Sequence, residues 1–298
     1  MQADSTEVTE PSPGNSDARP LPRSLQLQIA VSLLTKRQPA LSRGNVIVLP
    51  FHKILKRHAQ ANEIDAMEFV RANTTIPVPK ILNFYNRQPN GSADIVMTQL
   101  PGIELEYALS SMTSAQVESV AHQLAGYIAQ LRQLSRQPAT TDGSTPDSTR
   151  LIGGVSGGPG LDFRLGSHPW GPFHTTAEFH TYLRFGEPLE YWTHEQAVMD
   201  VHGRPEGRYK VLFAHADLAP RNIMVDPKKG KITGIIDWEF GGWYPEYWEY
   251  IKMFYCGVRP YQERWFAAIA REPGIEKYEL ERKAEEAIWI RAGPFGYE

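Results

Sequence analysis

The 298-residue chain contains a single cysteine, Cys256. One cysteine excludes an intrachain disulfide framework and a cysteine-rich zinc site, and it is typical of proteins of the reducing cytosol. Because cysteine is among the most buried residue types, we predict that Cys256 is a small core residue rather than a nucleophile. We therefore expect a cytoplasmic protein whose chemistry depends on other side chains.

The sequence also lacks long apolar runs and an excess of either charge. No uninterrupted apolar run approaches the length of a membrane-spanning helix, so we expect no membrane partner. The net charge of -3 gives no general attraction for nucleic acid or anionic lipid, although a local basic pocket for phosphate is compatible with it. Residues 1–23 lack a basic start followed by an apolar core, and their composition predicts a disordered tail rather than a signal peptide. No pattern indicates an oligomeric state.

The chain does contain enough apolar material for a sizeable core. With 41% hydrophobic residues, it is long enough for one large domain or for two lobes around a cleft. We predict a small β-rich lobe at residues 24–101 and a larger, mainly helical lobe at residues 102–298. The segment 25–34 alternates in a way that permits either a strand or a short helix.

The small lobe is predicted to contain a hairpin followed by a helix. Two β-rich runs, Val46–Leu49 and 53–57, meet at a Pro-Phe pair, which favours a tight connection. The next segment, NEIDAMEFVRAN, has helical spacing and places Glu63 on its apolar stripe. A carboxylate there needs a partner because burying an unpaired charge is costly. The strand predicted from ADIVMTQL then runs into Pro101 and a glycine, a break that suits a connection between lobes.

The large lobe begins with a helix and continues with loops and short strands. Thr113 and Gln116 form a capping-box pattern before a helix with one apolar face. Residues 137–161 predict a loop, and the GGVSGGPG stretch within it either cradles phosphate or is a flexible connection. A short helix is expected at 176–185, strands at KVLFAH and KITGIIDW, and helix over 261–290.

Three polar side chains follow the two strands predicted in the large lobe. Asn222 lies five residues after Asp217, and Asp237 lies 20 residues after Asp217. Carboxylate and amide oxygens suit a hard divalent cation that accepts phosphate oxygens, and Mg²⁺ is the natural choice. Asp217 can face an acceptor hydroxyl and take its proton while Asn222 turns toward the metal. This division of roles is typical of phosphoryl transfer, in which positioning and charge neutralisation provide most of the catalysis.

The segments HADLAPRNIMVD and IIDWEF resemble the catalytic and metal-binding loops of the aminoglycoside phosphotransferase and choline kinase superfamily. Their wider context, from LPFHKILK and NEIDAMEFV to IGGVSGGPG and WYPEYWEY, is similar to the fungal branch of aminoglycoside phosphotransferase-like proteins. The resemblance covers residues 44–250. It implies an α+β, two-lobed protein-kinase-like fold and a kinase that moves the γ-phosphoryl group of ATP, or alternatively GTP, to a hydroxyl of a small molecule.

The resemblance also implies roles for residues of the large lobe. Asp217 corresponds to the catalytic base, and Asn222 and Asp237 correspond to the Mg²⁺ ligands. His215 corresponds to a structural residue of the catalytic loop. Ala216 departs from the family pattern, which usually has glycine at this position.

In the small lobe, the resemblance implies a nucleotide site. Lys56 resembles the strand lysine that contacts the phosphates, and Glu63 resembles its helix partner. Lys53 is the competing lysine, but strand alternation places it on the opposite face. Gln99 and Leu100 correspond to the hinge that contacts adenine. No clear glycine-rich nucleotide loop precedes Lys56, which is a second departure from the family pattern.

The acceptor is expected between the catalytic loop, residues 153–160 and the WYPEYWEY segment. The acidic and aromatic residues there favour an amine-bearing or sugar-like acceptor, through ion pairing and cation–π contact. The candidate substrate residues are Glu239, Glu246 and Trp243. The carboxylates of Glu239, Glu246 and Glu249 can equally cap or pair at the start of a helix.

Two other functions are compatible with the fold. One is an inactive nucleotide-binding pseudokinase or interaction module, and the intact catalytic set argues against it. The other is a protein kinase, which is disfavoured because no recognisable activation segment follows Asp237.

Overall fold

The structure is a computed structural model that describes residues 42–135, 151–166, 168–255 and 262–292. The predicted tail, the segment 25–34 and Cys256 lie outside the described residues. Within the described part, a β-rich N-terminal region precedes a mainly helical C-terminal region, so the predicted α+β fold class is confirmed. The boundary between residues 101 and 102 stays a prediction.

The described residues form short strands and helices in mixed order. The strands are β1 (Ser42–Arg43), β2 (Val46–Leu49), β3 (Lys53–Ala59), β4 (Ile81–Tyr85), β5 (Ala93–Thr98), β6 (Ile103–Glu104), β7 (Gly153–Gly154), β8 (Val211–Ala214), β9 (Ile223–Asp226), β10 (Lys231–Ile235) and β11 (Gly242–Pro245). The helices are α1 (Ala61–Asn73), α2 (Leu105–Ala108), α3 (Ser114–Gln133), α4 (Thr176–Leu183), α5 (Gln196–His202), α6 (Trp248–Met253), α7 (Glu263–Arg271) and α8 (Glu279–Ala292). Short 3-10 helices cover Leu189–Trp192 and Pro220–Asn222.

The N-terminal region contains a five-stranded sheet of order β1-β2-β3-β5-β4, with antiparallel neighbours. The predicted hairpin is formed by β2 and β3, and it places Val46 opposite Lys56. Successive residues of β3 point to opposite faces of the sheet. Leu55 therefore joins a small apolar cluster with Ile47 and Val96, whereas Lys56 points toward α1.

Helix α1 is the helix predicted from NEIDAMEFVRAN, and its apolar face is buried. Ile64, Met67 and Val70 belong to the main hydrophobic core. Burying an apolar side chain of this size stabilises the fold by about 1.5–3 kcal/mol, so this face fixes the rotation of the helix. Glu63 lies on the same buried face and is held close to the sheet.

The C-terminal region contains the predicted helix and strands. The backbone N–H of Thr113 donates to Gln116 Oε1 at 2.7 Å, and the N–H of Gln116 donates to Thr113 Oγ1 at 3.3 Å, so the capping box is present. Strand β8 is paired with β11, and β10 is paired with β9. The segments that carry Asp217 and Asp237 follow β8 and β10 and are thus positioned by these two sheets.

The helix predicted over 261–290 is interrupted, and this expectation is corrected. Helix α7 ends at Arg271, and Glu272 has extended backbone angles of φ -67 and ψ 116. The residue before a proline disfavours the α conformation, so Pro273 separates α7 from α8. Within the described ranges, no helix is long and apolar enough to cross a membrane.

Candidate active site

A buried ion pair crosses the cleft between the N-terminal sheet and the C-terminal region. Lys56 Nζ on β3 donates to Glu63 Oε1 on α1 at 2.7 Å and to Asp237 Oδ1, after β10, at 2.8 Å. Burial alone would lower the pKa of Lys56, but the two carboxylates outweigh it and hold the pKa above its ordinary value. Lys56 is therefore the partner that the buried Glu63 requires. Lys53 is exposed, as strand alternation predicts.

A cavity of about 490 Å³ lies beside this ion pair, within the size range of small-molecule and cofactor sites. Its apolar wall comes mainly from β2, β3 and β5. Gln99 and Leu100 line it, and their contact with adenine stays a prediction. The backbone N–H of Gln99 donates to the carbonyl oxygen of His52 at 2.8 Å, however. A nucleotide base in the cavity would therefore form its hydrogen bonds with other groups of this segment.

Asp217 stands at the start of the loop between β8 and β9 and is 7% exposed. Arg221 Nη2 donates to both Asp217 carboxylate oxygens at 2.7 Å. The amide nitrogen of Asn222 donates to Asp217 Oδ2 at 2.6 Å and to the Asp217 carbonyl oxygen at 2.9 Å. Burial raises the pKa of Asp217, against the opposing fields of Arg221 and Lys252. Sequence reasoning missed Arg221, although it lies four residues after Asp217 in the same motif.

His215 and Glu249 hold the backbone that presents Asp217. The ring of His215 accepts from the Asp217 N–H through Nδ1 at 3.2 Å, and Nε2 lies 3.0 Å from the carbonyl oxygen of Ile236, to which it donates. Burial lowers the pKa of His215 to about 4, so the ring is neutral and this tautomer persists at neutral pH. Glu249 Oε2 accepts from the N–H groups of His215 at 2.6 Å and Ala216 at 3.4 Å.

The two loops of the site contain strained backbone. Ala216 has a φ of 59 degrees and Asp237 a φ of 65 degrees, in the left-handed region. A residue other than glycine pays roughly 1–2 kcal/mol for this conformation. This conformation explains why the family usually has glycine at position 216. In this chain the N–H of Ala216 donates to the Glu249 carboxylate, and this bond helps to hold the strained backbone.

Asn222 and Asp237 offer oxygen atoms to a cation. Because the amide nitrogen of Asn222 is occupied by Asp217, its amide oxygen is left for a metal. Asp237 uses Oδ1 for Lys56 and retains Oδ2. The described residues contain no group of three or more His, Cys, Asp or Glu side chains that could hold a metal. The donor set fits Mg²⁺, which binds through one or two carboxylates and completes its shell with waters and phosphate oxygens.

Glu239 lies close to this set, and its role as a substrate residue stays a prediction. Burial and then the charge of Asp237 raise the pKa of Glu239 to about 7. Its backbone carbonyl oxygen accepts from Asn62 on α1 at 3.1 Å, which ties the segment after Asp237 to the helix. A carboxylate of this kind can bind a cationic group, because a positive charge would relieve the repulsion from Asp237.

Trp243 and Glu246, the other two candidate substrate residues, do not reach the site, and these predictions are corrected. Trp243 is 4% exposed, and its indole N–H donates to the Val155 carbonyl oxygen at 3.0 Å, so it is a core residue. Glu246 follows Pro245, which pairs with Val211 at the start of β8. The catalytic loop leaves the other end of β8, roughly 10 Å along the strand.

The glycine-rich stretch does not present a set of free amides for phosphate. The N–H of Gly154 donates to the Gly158 carbonyl oxygen, that of Gly157 to Gly154, and that of Gly160 to Trp170. Ser156 Oγ donates to Asp65 Oδ2 on α1 at 2.8 Å. The described part of the predicted loop is therefore a turn tied to its neighbours rather than a phosphate cradle.

A second buried ion pair lies near Asp217, whose pKa the charge of Lys252 lowers. Lys252 Nζ on α6 donates to Asp162 Oδ1 at 2.6 Å, and Trp248 Nε1 donates to Asp162 Oδ2 at 3.1 Å. The Lys252 ammonium also lies 5.4 Å from the centre of the Phe240 ring. Sequence reasoning missed this pair because 90 residues separate its members.

Solved structures with the same fold are aminoglycoside phosphotransferases. A thermostable mutant of aminoglycoside phosphotransferase APH(4)-Ia is 14% identical, with a TM-score of 0.55 over 88% of this chain and 89% of that chain. The GDP complex of wild-type aminoglycoside 2'-phosphotransferase-IIIa is 14% identical, with a TM-score of 0.53 over 91% and 93%. Identities this low show the fold alone. The predicted two-lobed, kinase-like fold is thereby confirmed.

The chain belongs to the phosphotransferase enzyme family, whose pattern it matches over residues 46–286. This membership confirms the expectation of a small-molecule kinase and the resemblance from which it came. The assignment to a fungal branch stays a prediction. No curated protein matches the chain in sequence.

Proposed function

We propose that the chain is an O-phosphotransferase that moves the γ-phosphoryl group of ATP, or of GTP, to a hydroxyl of an amine-bearing or sugar-like small molecule. The observation that carries the proposal is the proximity of two charged groups, since the charge of Asp237 in one acts on the pKa of Asp217 in the other. One group is the ion pair of Lys56 with Glu63 and Asp237. The other is Asp217 with the donors Arg221 and Asn222.

The cavity beside Lys56 is the proposed nucleotide site. Its apolar wall suits a base, and the Lys56 ammonium suits the phosphates. Two proteins of similar fold have been solved with nucleotides, namely aminoglycoside 2'-phosphotransferase-IIIa with GDP and a mutant of APH(4)-Ia with AMP-PNP and hygromycin B. We call the part of the cleft bordered by Lys56, Glu63 and Asp237 the nucleotide side.

Asp217 is the proposed base. Its Oδ2 accepts from Arg221 and Asn222, whereas Oδ1 accepts from Arg221 alone among the described residues. Oδ1 therefore retains a lone pair and is the atom that takes the hydroxyl proton. Burial raises the pKa of Asp217, which brings its basicity closer to neutral pH and favours proton transfer.

Asn222 and Asp237 are the proposed Mg²⁺ ligands, through the amide oxygen and the carboxylate. When bound, Mg²⁺ supplies positive charge that neutralises the phosphates. Lys56 already bonds Asp237, so it orients this carboxylate toward the cleft. Neutral His215 holds the N–H of Asp217, and Glu249 holds the turn before it.

The acceptor would lie on the acceptor side, which is the part of the cleft bordered by Asp217, Phe240 and Lys252. Glu239 supplies negative charge near this space and is the proposed contact for an amine. Among proteins of similar fold, APH(2")-IIIa has been solved with GDP and kanamycin. We infer an amine-bearing or sugar-like acceptor from Glu239 together with this fold.

Transfer of labelled phosphate from ATP and GTP to a panel of aminoglycosides, choline-like amines, sugars and amino alcohols tests the proposal. Asp217→Asn should lower kcat by about 10²- to 10⁴-fold and leave Mg-nucleotide binding unchanged, because it removes the base alone. Asp237→Asn should instead weaken metal-dependent nucleotide binding. The exposed Asp200 offers a matched control, and Asp200→Asn should behave as the wild type.

Two outcomes would contradict the proposal. Nucleotide binding without phosphate transfer across the whole panel would indicate an inactive binding module. Near wild-type turnover of Asp217→Asn would show that the base is another residue.

A further inference from the structure

Arg221 contacts Asp217 in an unusual way for an arginine and a carboxylate. Both hydrogen bonds come from the same nitrogen, Nη2, at 2.7 Å to Oδ1 and 2.7 Å to Oδ2. Paired fork-to-fork contacts use two guanidinium nitrogens instead. The N–H groups of Nη1 and Nε are therefore left over, and no other group of the described residues bonds them. The Arg221 side chain is 46% exposed, so these donors are open to a ligand.

The other cations near Asp217 are committed elsewhere. Lys56 is held between Glu63 and Asp237 on the nucleotide side. Lys252 is buried and is paired with Asp162. Arg221 is thus the cation near Asp217 that combines exposure with unused donors.

We propose that Arg221 is a further catalytic residue, whose Nη1 donates to an oxygen of the phosphoryl group during transfer while Nη2 holds Asp217. This inference rests on the proposed function. Hydrogen bonds between a charged donor and a phosphate oxygen are short and strong, and a guanidinium keeps its charge at all working pH values.

The position of Arg221 favours the phosphoryl group as its ligand, rather than an anionic group of the acceptor. The hydroxyl that gives its proton to Asp217 must approach the same oxygens that Nη2 contacts, and its oxygen must face the γ-phosphorus in line. The guanidinium therefore borders the line of transfer. Negative charge in this transition state is spread over the three equatorial phosphoryl oxygens, which a neighbouring cation stabilises.

The acceptor oxygen forms a bond to the γ-phosphorus, and its O–H bond breaks as Asp217 Oδ1 takes the proton. The bond from the γ-phosphorus to the β–γ bridging oxygen breaks, and the nucleoside diphosphate leaves with the electron pair. Arg221 donates hydrogen bonds throughout and neither gains nor loses a proton.

The test compares wild type with Arg221→Gln, Arg221→Lys and the exposed control Arg271→Gln, which loses only a surface pair with Glu118. Affinities for ADP with Mg²⁺ are measured with and without aluminium fluoride, which mimics the phosphoryl group in flight. Arg221→Gln should bind ADP within twofold of wild type and lose at least 100-fold in affinity for ADP with aluminium fluoride. Its kcat should fall by about 10³-fold or more, the effect typical of an arginine at a transferring phosphoryl group.

Arg221→Lys should restore part of kcat, because its ammonium keeps the positive charge but cannot reach Asp217 and the phosphoryl group with separate nitrogens. Equal affinity of wild type and Arg221→Gln for ADP with aluminium fluoride would overturn the inference. A raised acceptor KM with unchanged affinity for that complex would also overturn it and would indicate an anionic acceptor group. Failure of the wild type to bind nucleotide or to transfer phosphate would instead overturn the proposed function. Circular dichroism melting of each variant separates these outcomes from misfolding.

Discussion

The two sides of the cleft hold their buried charges in different ways. On the nucleotide side, Lys56 is shared between Glu63, which is 2% exposed, and Asp237, whose side chain is 37% exposed. On the acceptor side, the side chains of Asp162 and Lys252 are 0% and 4% exposed and pair at 2.6 Å. The first ion pair lines the cavity and joins the two regions of the chain, whereas the second is enclosed within the C-terminal region.

This difference in exposure indicates that the two ion pairs have different functions. A shared and partly open pair can exchange a carboxylate for a phosphate or a metal at little cost, because water reaches it. An enclosed pair cannot exchange partners, since separating its charges leaves each of them unsolvated. The ion pair of the proposed nucleotide side thus allows ligand exchange, whereas the ion pair of the proposed acceptor side is a fixed support.

Lys252→Met should have the largest effect on stability. It leaves Asp162 buried with only two neutral donors, the N–H groups of Arg164 and Trp248. We expect the free energy of unfolding to fall by about 3–5 kcal/mol. Urea denaturation measures it.

A double variant sharpens this prediction. Asp162→Asn in the Lys252→Met background removes the stranded charge and keeps an oxygen for one of the two donors, so it should recover part of the loss. A loss below about 1 kcal/mol for Lys252→Met alone would show that the pair is not enclosed.

Glu249, which bonds the backbone before Asp217, should make the stability of the fold depend on pH. Burial raises its pKa from 4.5 to about 7, against the N–H bonds of His215 and Ala216. Because the folded pKa exceeds the unfolded one, the folded state binds more protons between these values, and stability falls as pH rises from about 4.5 to 7. The contribution amounts to at most about 3 kcal/mol.

Glu249→Gln should flatten this part of the stability curve. The variant minus wild-type difference in unfolding free energy should therefore grow in favour of the variant from pH 5 to pH 8. Chemical denaturation at several pH values measures that difference. A constant difference across the range would show that Glu249 keeps an ordinary pKa.

Lys56→Met should cost less stability than Lys252→Met. It leaves Glu63 without a partner, but Glu63 lines the cavity, where water or a proton can compensate. We expect a loss of about 1–3 kcal/mol together with at least tenfold weaker nucleotide binding. Lys53→Met on the same strand is the matched control, because Lys53 is exposed on the opposite face. Losses of equal size for Lys56→Met and Lys252→Met would remove the contrast between the two sides.

Sequence reasoning predicted the nucleotide side better than the acceptor side. Lys56 and Glu63 are seven residues apart on a strand and the following helix, so local periodicity brings them together. The support of the acceptor side depends on distant pairs, such as Asp162 with Lys252, which no local pattern indicates. Trp243 was misassigned because an aromatic residue suits a core as well as a ligand.

The sequence contains signals for two features that the predictions missed, namely the break between α7 and α8 and the contact of Arg221 with Asp217. The Pro-Gly pair at Pro273 marks the break between α7 and α8. Arg221 lies four residues after Asp217 in the same short loop, so a contact between the two side chains was within reach of the chain. The backbone conformations of Ala216 and Asp237 had no such signal, because only the surrounding contacts impose a positive φ on these residue types.

The smallest effects distinguish the carboxylates after Asp237. Glu239→Gln should raise KM for an amine-bearing acceptor about tenfold, the worth of one charge-assisted hydrogen bond. Glu246→Gln should change it less than twofold, because Glu246 follows the end of β11 that pairs with the start of β8. Neither substitution should change KM for a neutral sugar acceptor. The comparison of the two acceptors therefore isolates the contribution of the amine charge. Equal effects of the two variants on the amine would place the acceptor along β11 instead of beside Asp217.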